Sequence, residues 1–300
     1  MIHPIDSLAH YGSVKTKPKM KHLATHGALH IHGFGFLGDN HYIRSGYRLH
    51  YSTTDCLHSL FELHNETWNV WIHIVGSLVF ATLLAIEMFA MPDVDTTFAV
   101  ARWPLWLFLG NVSICFALSA TYHLMYTQHA AADSFYLRFD FGGILFLIFG
   151  AAVPMLYYTF FCSPPLRTFY VGLASAVGCA SFVATFLPAF TTSPSLRIAV
   201  FGSTILSLCI IPLTHLLVQA GMSSPEIAIM LQPVVKCMVF NIPGVVFYAT
   251  KVPERWRPGV FDVVGSSHQW WHLCVVLASA VYYWEIQSQY NWRHATGCPV

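Results

Sequence analysis

Charge is what this sequence has least of. Asp, Glu, Lys and Arg make up only 10% of its 300 residues, 15 basic against 14 acidic, for a formal net charge of +1. So thin and balanced a complement offers a polyanion nothing to hold, and no nucleic-acid partner is expected. Internal repeats and low-complexity tracts are missing, which removes solenoids and propellers. No apolar h-region stands near Met1, so no secretory signal peptide is expected. A disulfide framework is missing too. Cys115, Cys179, Cys209, Cys237 and Cys274 fall within apolar runs and read as small core residues. Cys162 and Cys298 stand outside those runs, and a bridge between them stays open.

What fills the chain instead is apolar sequence. Hydrophobic residues make up 55% of it, and the mean hydropathy of +0.54 excludes an ordinary soluble enzyme. Runs long enough to cross ~30 Å of hydrocarbon recur. They predict an all-α integral membrane protein with seven spans, near residues 68–89, 103–126, 138–161, 169–186, 196–218, 227–250 and 267–284. The breakers Met91-Pro92-Asp93, Ser163-Pro164-Pro165, Thr192-Ser193-Pro194, Gly221 to Pro225 and Arg257-Pro258-Gly259 fall between them. Residues 1–60 read as a polar, His-rich amino-terminal arm without an apolar core, partly disordered: loose at first, then more structured from Gly33-Phe34-Gly35-Phe36 through Tyr47 into Phe61. Residues 61–286 form the membrane domain and 287–300 a short tail. Of the fifteen Lys and Arg, eleven fall on the side of the amino terminus and three on the other, with Lys236 inside the sixth span. That bias predicts a cytoplasmic amino terminus and an extracellular or lumenal carboxyl terminus, opposite to the G-protein-coupled receptors.

Ionisable side chains inside spans are costly and therefore informative. His268 and His272 are four residues apart, so a helix presents both imidazoles from one face. Their spacing is that of the helical zinc signature H-E-x-x-H, but Gln269 stands where the Glu would be and cannot act as a general base. The predicted topology brings His123, near the end of the second span, and Asp140, near the start of the third, to the same cytoplasmic level. Three imidazoles with a carboxylate nearby suit Zn²⁺, whose catalytic form keeps an open position for water. Asp140 is placed to hold that water as a base, and Ser119 lies one turn from His123. Simpler readings remain open: an ion pair of Asp140 with Arg138 or Arg255, and a bond from Ser119 to its own helix. His73 is a candidate fourth polar neighbour, whereas His215 is at the wrong depth. Lys236 stands without an evident partner. His22, His26, His30 and His32 read as a solvated His-rich arm, with loose metal binding as the alternative.

These residues resemble a known pattern. Ser119-x-x-x-His123, Asp140 seventeen residues on, and Ser267-His268-x-x-x-His272 are similar to the progestin and adipoQ receptor family, in its adiponectin-receptor branch. Supporting stretches are Ser59 to Thr67, Leu156-Tyr157-Tyr158, and Val252 to Trp256 with Pro258-Gly259. The resemblance covers about residues 40–298. It implies seven helices with the amino terminus inside, and a buried zinc on His123, His268 and His272. It places Asp140 and Ser119 around a zinc-bound water. It also implies ceramidase activity tied to receptor signalling, with a ceramide-like membrane lipid cleaved to a sphingoid base and a free fatty acid. An extracellular protein ligand and a homo-oligomer are left open. Two other classes compete: a receptor or membrane-composition sensor whose zinc is structural, and a transporter or proton pathway built on Asp140, Lys236 and the histidines.

Overall fold

A computed structural model describes residues 21–89 and 100–298 of the chain. Lys15, Lys17, Lys19 and the Met91-Pro92-Asp93 turn lie outside the described residues. The first described element is β1 (His22–Ala24), which pairs antiparallel with β2 (Tyr47–Leu49) in the register His22↔Leu49, Leu23↔Arg48, Ala24↔Tyr47. Between them the chain folds through two short 3₁₀ turns. Leu29, Phe34, Leu37, Ile43, Tyr47 and Leu49 form a small core that Tyr126 completes. The expectation of an arm with no apolar core is therefore corrected for residues 21–50. Its apolar residues stand singly among Gly and His, so no periodicity announces them, and only the turns bring them together.

The chain then enters α1 (Thr53–His58), capped by a reciprocal Ser52–Asp55 box, and reaches the long helices. These are α2 (Thr67–Phe89), α3 (Trp103–Met125), α4 (Ala130–Thr159) and α5 (Pro164–Ala184). After the short α6 (Pro188–Thr192), α7 (Pro194–Ile205) and α8 (Ile211–Ala220) continue each other through a π-helical turn at Leu206–Ile210. Last come α9 (Pro225–Thr250) and α10 (Ser267–Thr296). The Pro residues read as breakers sit in the first turns of α5, α7 and α9, where a missing N–H costs nothing. Ser193 and Ser224 cap the latter two by accepting from Leu196 N and Ile227 N.

Among the described residues, six helical stretches are long and apolar enough to cross a bilayer: Thr67–Phe89, Trp103–Gln128, Ala130–Thr159, Pro164–Ala184, Pro194–Ala220 and Pro225–Thr250. The 30-residue α10 is long enough, but its composition is more polar. It does not stop near 284 as expected. It runs on to Thr296, so most of the expected tail is helix. Likewise α4 begins at Ala130, and Arg138 and Asp140 sit two to three turns inside it instead of at its tip.

Helix α3 is the most enclosed, packed between α2 and α4, while α9 lies against α10. The main core joins Phe80, Leu105, Phe108, Phe116, Tyr158, Tyr282 and Ile286. At Gly244 an added Cβ would stand 2.8 Å from Cys274 Cβ and 3.0 Å from the Trp271 ring. Glycine is therefore what lets α9 meet α10 so closely. Lys236, expected to stand alone, donates to Glu285 at 2.8 Å across that seam. Its partner was hidden because Glu285 lay beyond the expected end of the last helix. At the far end Cys162 and Cys298 form a disulfide. Nearby, the Arg293 guanidinium is buried among the carbonyls of Tyr158, Thr159 and Gly297.

Candidate metal centre

Two helix ends place the histidines, and segments outside the helices fix both ends. His123 lies in the last turn of α3, whose final carbonyls have no partner within the helix. Arg48, at the middle of β2 and fully buried, supplies it: Nη2 donates to the His123 carbonyl at 2.7 Å, and Nη1 to the Leu124 carbonyl at 3.0 Å and Ser59 Oγ at 2.7 Å. His268 and His272 occupy the first turns of α10. There the fully buried Glu254 accepts from Ser267 N at 2.7 Å, from the Ser267 hydroxyl, and from Asn40 Nδ2 at 3.0 Å. A carboxylate at this position also complements the positive end of the helix dipole. Gln269 is not chemical at all. Its amide clasps the preceding loop, accepting from Gly265 N at 2.6 Å and donating to the Val263 carbonyl at 2.9 Å.

The three rings meet. Their centroids are 5.0 Å apart for His123–His268, 4.7 Å for His123–His272 and 4.5 Å for His268–His272. His268 Nε2 is 3.3 Å from His123 Nε2 and 2.9 Å from His272 Nε2, and the ligand atoms of all three lie within 4.8 Å of one another. On the other side of His123, Nδ1 is 2.8 Å from Glu66 Oε2. A carboxylate only accepts, so it holds the proton on Nδ1 and leaves Nε2 as a lone pair aimed at the other two rings. Three imidazole nitrogens turned on one another could hold a metal ion, and a carboxylate behind a histidine is the usual outer partner at such sites. The donor set fits a borderline divalent metal.

Glu66 is the residue that sequence reasoning passed over. It stood in the stretch before the first span, where an acidic residue is unremarkable. In the fold it also accepts from Tyr126 OH at 2.9 Å and Asn69 Nδ2 at 2.6 Å. Burial would raise its pKa, but the hydrogen bonds from His123 and from the Asn69 amide hold it below the usual carboxylate range. One cue was available: Glu66 precedes an apolar helix at the membrane level already assigned to His123.

The other expected residues fall as follows. Ser119 is buried one turn before His123, and its side chain lies close to Asp140. Asp140 is not part of the three-nitrogen cluster. Among the described residues no ion pair joins it to Arg138 or Arg255. His73 is indeed a neighbour, stacked on His272 with centroids 3.9 Å apart, and among the described residues neither of its nitrogens has a hydrogen-bond partner. His215 is elsewhere, bonded to Tyr170 OH at 2.6 Å. An apolar groove of about 700 Å³ runs along α2 and α10, lined by Trp68, Trp71, Ile72, Val75, Leu273 and Val276.

A family model described as Haemolysin-III related matches residues 61–283. The chain is 32% identical over 270 residues to Heptahelical transmembrane protein 1 of Arabidopsis thaliana, covering 88% of this chain and 81% of that one. It is 32% identical over 274 residues to Progestin and adipoQ receptor family member 3 of Mus musculus, covering 88% and 86%. With the Adiponectin receptor protein of Drosophila melanogaster it shares 31% identity over 261 residues, 86% of this chain but 58% of that longer protein.

Proposed function

From the premise that this chain belongs to the haemolysin-III-related family, among the progestin and adipoQ receptors, and is an integral multi-pass membrane protein, we propose that it is a zinc-dependent lipid amidase coupled to signalling. Its substrate would be ceramide-like and its products a sphingoid base and a free fatty acid. The observation that carries this reading is the convergence of His123, His268 and His272 Nε2 atoms, backed by Glu66, with Asp140 and Ser119 alongside.

A bound Zn²⁺ would supply Lewis acidity toward the amide carbonyl and lower the pKa of a water to ~7. The residues do the rest. Glu66 keeps the His123 proton on Nδ1, so that ring enters as a neutral ligand. Asp140 takes a proton from the attacking water and returns it to the departing amine nitrogen. Ser119 holds the Asp140 carboxylate in place and is near enough to help the developing oxyanion. The acyl chain would lie on apolar helix surface, for which the groove along α2 and α10 is one support. We further propose seven spanning helices, α10 being the seventh, with the amino terminus in the cytoplasm. The basic-residue bias supports that orientation, and so does a disulfide at the opposite end, since such bonds persist in oxidising compartments.

The test is zinc content together with ceramide hydrolysis on purified wild type, Asp140→Asn and His272→Ala. We expect about one zinc in wild type and Asp140→Asn, loss of zinc in His272→Ala, and hydrolysis in wild type only, with Asp140→Asn slower by ~10²–10⁴-fold. Zinc without hydrolysis in any sample would leave a structural metal in a receptor or sensor. No zinc in wild type would refute the proposal outright.

A further inference from the structure

We propose that His22, His32 and His50 form a second metal site, on the folded amino-terminal unit outside the helical bundle, that takes a borderline divalent cation such as Zn²⁺. The six histidines of this unit do not behave alike. His26 Nε2 lies 3.3 Å from the Gly38 carbonyl, and the His30 ring fills the space where a side chain at Gly35 would stand. Three of the histidines also face one another. Ring centroids are 5.6 Å apart for His22–His32, 5.9 Å for His22–His50 and 5.9 Å for His32–His50. The triangle is nearly equilateral, and its corners come from separate pieces of chain: a strand, the turn after the first 3₁₀ segment, and the residue following β2.

The fold holds two of these corners. His22 is paired with Leu49 across the sheet, which fixes its distance from His50. His50 has a left-handed backbone, φ 61°, a conformation uncommon outside glycine, and its ring stands edge-on to Phe34 at 5.0 Å. A non-glycine residue kept in that conformation points its ring toward His22 and His32. Beside His22, the Lys21 ammonium is paired with Asp55 and Glu62, at 3.3 Å from each. With Zn–N bonds of about 2.0–2.1 Å, tetrahedral imidazole centroids stand roughly 5 Å apart. The intramembrane centre is already at that spacing. The surface triangle is slightly wider and its ring nitrogens less convergent, since only the intramembrane three have ligand atoms within 4.8 Å. Closing it requires side-chain rotation, and His22 is exposed and His32 half-buried. Three neutral imidazoles with open positions suit Zn²⁺, Cu²⁺ or Ni²⁺ rather than Mg²⁺ or Ca²⁺.

The test uses tag-free full-length protein in detergent, loaded with Zn²⁺ and challenged with a chelator. Wild type should release zinc in two classes, a fast one from the solvent-facing triangle and a slow one from the buried centre. His32→Ala and His50→Asn should each weaken the fast class by more than ~10-fold, beyond the loss of an outer-shell partner, and leave the slow class untouched. Asparagine tolerates the left-handed backbone, so His50→Asn removes the ligand without the turn. Added Zn²⁺ should raise the thermal midpoint of wild type above that of either variant, while all three match in chelator. His26→Ala and His30→Ala should keep the fast class. A wild type with no fast class would overturn the proposal. So would a fast class that survives in His32→Ala and His50→Asn, or one lost equally in the His26 and His30 variants, which would mean loose chelation by the whole arm. The slow class reads the intramembrane centre separately, so failure of one site does not pass for failure of the other.

Discussion

If Glu66 sets the protonation of His123, its substitution should weaken metal binding without removing a ligand. Glu66 receives three donors, His123 Nδ1 at 2.8 Å, Asn69 Nδ2 at 2.6 Å and Tyr126 OH at 2.9 Å. In Glu66→Gln the amide oxygen can keep the two nitrogen donors, and the amide nitrogen then faces Tyr126, whose hydroxyl can turn to accept. Hydrogen bonding survives and only the charge is lost, so affinity should fall about tenfold, or about 1.4 kcal/mol. In Glu66→Ala the Nδ1–H has no acceptor. The ring then gains by moving its proton to Nε2, the ligating atom, and the loss should approach ~100-fold. Equilibrium competition with chelators of graded affinity measures both, beside His272→Ala as the loss of a true ligand and Tyr126→Phe as a change that leaves Nδ1 paired. The order expected is wild type, Tyr126→Phe, Glu66→Gln, Glu66→Ala, His272→Ala. Unchanged affinity in Glu66→Ala would refute the reasoning, because the tautomer would then be fixed by something else.

Arg48→Met should cost at least about 3 kcal/mol, since it leaves two buried carbonyls and the Ser59 hydroxyl without their donor; chemical unfolding in detergent reads it, and Arg48→Lys should recover only part. Burial, with the Arg48 charge nearby, pushes the His64 pKa from 6.5 down to about 3. The native state therefore holds a neutral ring while the unfolded chain binds a proton below 6.5, so stability is fully present above that pH. It should be lost as pH falls from 6.5 toward 3, by up to about 1.4 kcal/mol per unit from this group, and His64→Asn should flatten that part of the unfolding profile. Lys236→Met strands Glu285, a nearly buried carboxylate, so its thermal midpoint should drop, and adding Glu285→Gln should restore most of the loss; equal midpoints for the single and double variants would show that the pair contributes nothing.

How much of this could be read beforehand depended on whether a residue was unusual where it stood. Imidazoles inside apolar runs are rare, so His123, His268 and His272 announced themselves, and the topology alone brought them to one level. The helices through Thr250 were legible for the same reason, since unbroken apolar sequence has few alternatives. Helix α10 was not. Glu285, Gln289 and Arg293 looked like an exit from the membrane, yet at i, i+4 and i+8 they form one face, and that face is turned inward. Glu285 meets Lys236, Gln289 donates to Thr159 Oγ1 at 3.2 Å, and Arg293 serves the carbonyls of Tyr158 and Thr159. A polar stripe satisfied by neighbouring helices has the same composition as a polar tail in water. Only the partners distinguish them, and the partners lie 49 to 135 residues away in sequence.

The same reasoning explains why the support of the metal centre was invisible while its ligands were not. Arg48, Glu66, Glu254 and Asn40 all come from polar segments, where Arg, Glu and Asn are ordinary and carry no signal. In the fold they reach the ends of two helices. Arg48 takes the last carbonyls of α3, Glu66 takes the Nδ1 proton of its histidine, and Glu254 with Asn40 takes the first donors of α10. Helix ends are where unpaired backbone groups are concentrated, so they are also where an outside segment can most cheaply fix a helix in rotation and depth. His123 lies in the last turn of one such helix and His268 in the first turn of the other. The histidines are thus held from outside the helices that carry them, by residues whose importance exists only once those helix ends have been brought together.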